Sequence, residues 1–221
     1  MFVKICGITC EEDGLLAVAM DADAVGFIFA PSPRQIAPVV ARDIVRRLPS
    51  DIITVGVFRD EAPERVVDIV HSAGLRAAQL SGHESAEATR FVAERVPLVI
   101  KAVTAGSPQM TRAADYGTEV LMVDGARPGS GEAWDLELLD GLPPGQKVLL
   151  AGGLRPETVA AAVEQVRPWG VDVASGVERQ GGAPGRKDPR KVRMFVANAR
   201  AAAPAWEPEA DDTPYDWTED T

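Results

Sequence analysis

Short, nearly continuous apolar runs alternate along this chain with longer stretches of helical periodicity. The runs cover residues 2–6, 24–29, 52–58, 75–80, 98–103, 120–124, 147–151 and 171–174. Runs of this kind, apolar on both alternating faces, mark parallel strands covered on both sides. Helix-like segments lie between them at 11–20, 38–48, 61–73, 85–95, 108–114, 134–139 and 156–166, and an eighth at 189–202 follows the last run. Pro156, with Glu157 behind it, predicts a helix start. Eight strands, each followed by a helix, predict an α/β protein of the (β/α)8 TIM-barrel class, with one domain over residues 1–203. The same alternation permits an open doubly wound sheet, but no GxGxxG follows the first run, which speaks against its dinucleotide-binding form.

Composition agrees with a packed domain: 46% of the 221 residues are apolar and 25% are charged. The formal charge is −10, yet seven of the acidic residues fall in 204–221, which contains no Lys or Arg, and the rest of the chain carries only −3. That segment reads as a short acidic, disordered C-terminal tail. Trp206, Tyr215 and Trp217 within it either lack a fixed partner or dock on a neighbouring surface. No basic face is visible, so nucleic acid is not an expected partner, and an anionic substrate would need local dipoles to hold it. Cys6 and Cys10 are the only cysteines, which excludes a disulfide framework and points to a reducing, cytoplasmic compartment. Together with His71 and His83 they show no zinc-ligand spacing, so no metal is expected. Nothing resembles a signal peptide, and no apolar run approaches the ~20 residues that cross a bilayer, so no membrane association is expected.

In a barrel the chemistry sits at the C-terminal ends of the strands. The first run ends in Cys6, next to Gly7. Cys6 is either an inert buried thiol or a functional one at a strand end. The sixth run ends in Asp124, a carboxylate closing the apolar stretch from Val120 to Val123, and it needs a partner, a capping role or a catalytic task. The fourth ends in Gln79-Leu80-Ser81-Gly82, and the second leads to Ser32-Pro33-Arg34. Gly152-Gly153 and Ser175-Gly176 follow the last two strands, where barrels commonly hold a phosphate on backbone N–H groups. Two tight turns would explain either pair alone; their occurrence at both loops favours phosphate binding.

These residues bring a family into view. Lys4-Ile5-Cys6-Gly7-Ile8-Thr9 resembles the opening signature of the phosphoribosylanthranilate isomerases. Gly26 to Phe29 with Ser32-Pro33-Arg34, and Val55-Gly56-Val57-Phe58, are similar to its second and third strands. Asp124 with Gly129-Ser130-Gly131 and Trp134-Asp135 resembles its sixth-strand loop. Leu150 to Leu154, Gly170 to Val173 with Ser175-Gly176-Val177-Glu178, and Lys187-Asp188-Pro189 resemble its end. The resemblance implies an Amadori rearrangement in tryptophan biosynthesis, without metal or organic cofactor, on a small phosphorylated aminosugar. It implies that Asp124 is the general acid at the furanose ring oxygen and Cys6 the base at C2. Arg34 would face the anthranilate carboxylate, Asp172 would line the substrate, and Gly152, Gly153, Ser175 and Gly176 would hold the phosphate. Both monomers and homodimers are compatible with it.

Two positions depart from the family pattern: Ser81 stands where the fourth strand usually carries His, with His83 two places on, and Pro128 replaces a glycine in the sixth-strand loop. They leave a second reading, a related isomerase of another amino-sugar phosphate. A third, a barrel that binds a phosphorylated ligand without catalysis, would not need an acid and a base on opposite strands. Lys4 and Lys101 lie inside strands, and neither forces the lysine-dependent ring closure of indole-3-glycerol-phosphate synthase.

Overall fold

The computed structural model describes residues 1–125, 142 and 145–204. Eight parallel strands close into a barrel in chain order. They are β1 (Phe2–Ile5), β2 (Ala24–Ile28), β3 (Ile53–Phe58), β4 (Ala77–Leu80), β5 (Leu98–Thr104), β6 (Val120–Asp124), β7 (Lys147–Ala151) and β8 (Gly170–Val173). The α-helices among the described residues are α1 (Glu11–Ala19), α2 (Pro38–Val45), α3 (Pro63–Ala73), α4 (Ala86–Ala93), α5 (Val159–Val166) and α6 (Pro189–Ala201). Closure pairs β1 with β8, placing Lys4 beside Asp172 and Ile5 beside Val173. The open-sheet alternative is thereby excluded. The tail, its three aromatic residues, Pro128 and the segment 134–139 lie outside the described residues.

The strand alternation separates two cores. Inward residues, including Ala24, Val55, Ala77, Ile100, Met122 and Leu149, fill the barrel. Outward residues such as Val3, Val25, Phe27, Leu150 and Val171 pack under the helices. Most strand positions are thus apolar on both faces, which is why the runs read as continuous rather than alternating.

Local chemistry sets the helix ends. Proline opens α2, α3 and α6, where a missing N–H costs nothing. Ser85 caps α4 by accepting from Ala88 N, and Asp188 caps α6 by accepting from Arg190 N and Lys191 N. Gly74 ends α3 at φ 70°, and Leu75 N returns to Val70 O at 2.9 Å. That closure explains why β4 begins at Ala77 rather than at 75: Leu75 belongs to the cap. Two helix expectations need correction. Residues 156–158 form a turn, and α5 begins only at Val159. The segment expected at 108–114 is a 3-10 helix over Met110–Tyr116, kinked at Arg112 and ended by Gly117 at φ 64°.

Candidate active site

The C-terminal ends of the strands surround a cavity of about 650 Å³. Of the residues singled out by sequence, Cys6, Asp124, Asp172, Gly152, Gly153, Ser175 and Gly176 all line it. Arg34 does not.

Cys6 stands one residue beyond β1 and is 4% exposed. Its N–H donates to Val173 O at 2.8 Å, extending the β1–β8 ladder. Lys4 is on the same face of the chain two residues earlier and is wholly buried. Its Nζ donates to Asp172 Oδ1 at 2.8 Å. Gly26 on β2 leaves room for the group: a Cβ there would stand 2.8 Å from Cys6 Sγ and 3.1 Å from Lys4 Nζ. Burial pushes the Cys6 thiol up; Lys4 and Lys187 oppose that and Asp172 adds to it.

Asp124 ends β6 as expected, and its carboxylate is open to the solvent of the cavity. The enclosing wall nevertheless raises its pKa, and the negative charge of Asp172 adds to the rise, against Gly125 N–H and Arg59. Cys6 at the end of β1 and Asp124 at the end of β6 lie three strand positions apart around the eight-strand ring, with Asp172 on β8 between them. Gly152, at φ 94°, is what makes space for the Asp124 carboxyl group, since a Cβ there would lie 2.2 Å from Asp124 Oδ1. Gly176 lets the β7 and β8 loops meet, since its Cβ would fall 2.0 Å from Leu154 O.

Arg34 folds over Gly7, whose φ of 73° and missing Cβ admit the arginine Cδ. Glu178 accepts from Arg34 Nε at 2.5 Å and from Nη2 at 2.9 Å. Lys187, fully buried, donates to Cys6 O at 2.7 Å and Ala174 O at 3.0 Å and pairs with Glu178 Oε1 at 3.3 Å. Burial would raise Glu178, but Arg34 and Lys187 outweigh it and hold the carboxyl below its ordinary value. Arg34 is therefore a fixed, neutralised cation next to the cavity.

The fourth-strand loop is braced from β5. Lys101 Nζ donates to Gly82 O at 2.8 Å and to Glu84 Oε2 at 2.6 Å, while Glu84 also accepts from the N–H groups of Asp60 and Gly82. Both charges are sealed from water. Lys101→Met would leave the Glu84 carboxylate buried and unpaired, so its unfolding free energy is expected to fall by about 3–5 kcal/mol. Urea denaturation measures this, and a loss below about 1 kcal/mol would show the brace to be dispensable.

Ser81 accepts from Gln79 Nε2 at 3.0 Å. Gln79 Oε1, buried at the cavity wall, has no hydrogen-bond partner among the described residues and is an acceptor ready for a ligand. His83 does not take the place of the missing strand-end histidine: its side chain is largely exposed at the rim and pairs with Asp60 at 3.6 Å. Sequence reasoning missed Arg59, which follows β3 directly, lines the cavity and makes no hydrogen bond or ion pair among the described residues. The strand-end rule that singled out Cys6 would also have found it. Lys187 was visible only as part of a motif, because nothing local announces its burial.

A closed barrel whose C-terminal mouth gathers a thiol, two carboxylates and a glycine-lined wall is built as a barrel enzyme. The chain belongs to the phosphoribosylanthranilate isomerase family: the family model described as "N-(5'phosphoribosyl)anthranilate (PRA) isomerase" matches residues 3–198. An N-(5'-phosphoribosyl)anthranilate isomerase of Desulforudis audaxviator is 45% identical over 204 residues, covering 90% of this chain and 98% of the relative. The crystal structure of phosphoribosyl anthranilate isomerase from Thermus thermophilus superposes with a TM-score of 0.79 at 44% identity, covering 91% of this chain and 99% of that one. A second solved isomerase, in complex with reduced 1-(o-carboxyphenylamino)-1-deoxyribulose 5-phosphate, matches at a TM-score of 0.79 and 41% identity, with the same coverage.

Proposed function

We propose that this chain isomerises N-(5-phosphoribosyl)anthranilate to 1-(2-carboxyphenylamino)-1-deoxyribulose 5-phosphate in tryptophan biosynthesis, in the cytoplasm, with Asp124 as acid and Cys6 as base. The observation that carries the residue roles is the joint placement of these two groups in the lining of one cavity. Asp124 gives its proton to the furanose ring oxygen, the C1–O bond breaks, and the anthranilate nitrogen lone pair forms a protonated Schiff base. Cys6 thiolate takes the C2 proton; the C–H electrons become the C1=C2 bond and the imine π electrons return to nitrogen. The enolamine then loses its C2 hydroxyl proton and gains one at C1, giving the ketone. The protonated imine acidifies C2, so a thiolate is a sufficient base.

Gly153, Ser175 and Gly176 offer backbone at the wall for the phosphate, while Gly152 serves chiefly to admit Asp124. Asp172 lines the substrate space beside the base. Arg34 reaches the anthranilate carboxylate from the edge of the cavity, still carrying Glu178. Arg59, a cation in the cavity wall with no such partner among the described residues, is the nearer candidate to steer an anionic substrate.

Turnover of freshly prepared phosphoribosylanthranilate tests the reaction, and its pH profile tests the roles. The reactive form carries one proton on Asp124 and none on Cys6. Below the Asp124 pKa both groups are protonated and the base is lost; above the Cys6 pKa both are ionised and the acid is lost. The expected kcat/KM profile is a bell, with the acid limb above the ordinary aspartate range and the alkaline limb above the ordinary thiol range, following the two raised values. A profile with no fall on the acid side would remove Cys6 as the base, and one with no alkaline fall would remove Asp124 as the acid.

A further inference from the structure

Lys4 is wholly buried inside the barrel, and the reaction as derived gives it no part. A buried ion pair is often no more stable than apolar residues of similar volume, so packing alone does not call for a lysine here. We propose that Lys4 is a positioning residue of the isomerisation: its ammonium group stabilises the Cys6 thiolate, and Asp172 fixes the ammonium in place. The proposal rests on Cys6 being the base.

Three observations carry it. Lys4 and Cys6 are two residues apart and face the same side, so both side chains enter the barrel at one edge. Lys4 and Asp172 are register partners across the β1–β8 seam, and their 2.8 Å contact anchors Nζ. Gly26, on the other flank of β1, leaves a gap into which Sγ and Nζ both project. The ammonium remains charged in spite of burial: desolvation would lower its pKa, but Asp172 and Cys6 together raise it. The other charges that bear on the sulfur are Asp172 on β8, which opposes ionisation, and Lys187 in the loop after β8, which favours it. Arg34, reached through the β2 loop, also feels the thiolate but is held by Glu178. β2 itself brings no charged side chain within Ala24–Ile28. Lys4 neither gives nor takes a proton; when Sγ bonds the C2 proton, the ammonium only loses a counter-charge.

The test uses the full chain in a Cys10→Ala background, so that thiolate ultraviolet absorbance reports Cys6 alone. In Lys4→Met the Cys6 titration is expected to move up by at least about one pH unit, which is a tenfold smaller thiolate fraction, and kcat to fall at least ~10-fold. The alkaline limb of kcat/KM should move up with it. Asp172→Asn should shift the titration the opposite way, because it removes a charge that opposes ionisation; a merely structural pair would not give opposite signs. Should Lys4→Met fail to fold around the unpaired Asp172, Lys4→Met/Asp172→Asn removes both charges together. Its titration is still expected above the parent's, since Lys4 acts on the sulfur more strongly than Asp172 does. An unchanged titration in any folded variant lacking Lys4 overturns the proposal. A shifted titration with unchanged kcat overturns instead the assignment of Cys6 as the base.

Discussion

Asp124→Asn is expected to bind the product within about tenfold of the parent while its kcat falls by at least ~10²-fold. Asparagine keeps the shape of the side chain, but it has no acidic proton for the ring oxygen. The space left by Gly152, where a Cβ would lie 2.2 Å from Oδ1, accommodates an amide of the same size, so the cavity wall should not rearrange. The proton removal at C2 would survive if a substrate already opened to the imine were supplied. Calorimetric product affinity beside single-turnover rates for both proteins separates the possibilities. Loss of product binding as severe as the loss of turnover would make Asp124 a binding residue and assign ring protonation elsewhere.

Removal of the base gives the second large effect. Cys6→Ala is expected to lower kcat by ~10²–10⁴-fold, the span usual for a general base, with KM little changed. Alanine fits because the exchange removes only one sulfur atom from a position that is 4% exposed. The backbone bonds at this position, Cys6 N–H to Val173 O and Lys187 Nζ to Cys6 O, do not depend on the side chain and should persist. Cys10→Ala serves as the comparison, since Cys10 lies at the start of α1 and outside the cavity lining. Steady-state assays of both variants decide: near-parental turnover in Cys6→Ala would sink the base assignment.

Much of the site was legible in the linear pattern, for a definite reason. A strand buried on both faces is continuously apolar, so the residue that breaks the run marks its C-terminal end, and in a barrel that end is the mouth. Cys6, Asp124, Gly152 and Ser175 were reached in this way, and all four line the cavity. The same logic failed where a run was extended by something other than a strand. Leu75 is apolar because it closes the cap of α3, and residues 156–158 carry helix-start chemistry but form a turn.

Partnerships across the barrel could not be read from periodicity. Lys4 meets Asp172 across 168 positions and Arg34 meets Glu178 across 144, because ring closure sets β1 against β8 and brings the loop after β8 over the β2 loop. Burial of Lys4 and Lys101 is likewise decided by packing: a lysine within an apolar run is either an edge residue or an interior ion, and only the partner's position distinguishes the two. The sequence pattern names the strand ends because side-chain alternation is local. Which charges face one another, that Arg34 is already neutralised, and that Asp172 stands between base and acid depend on strand register, and register comes from how all eight strands pack into one closed ring.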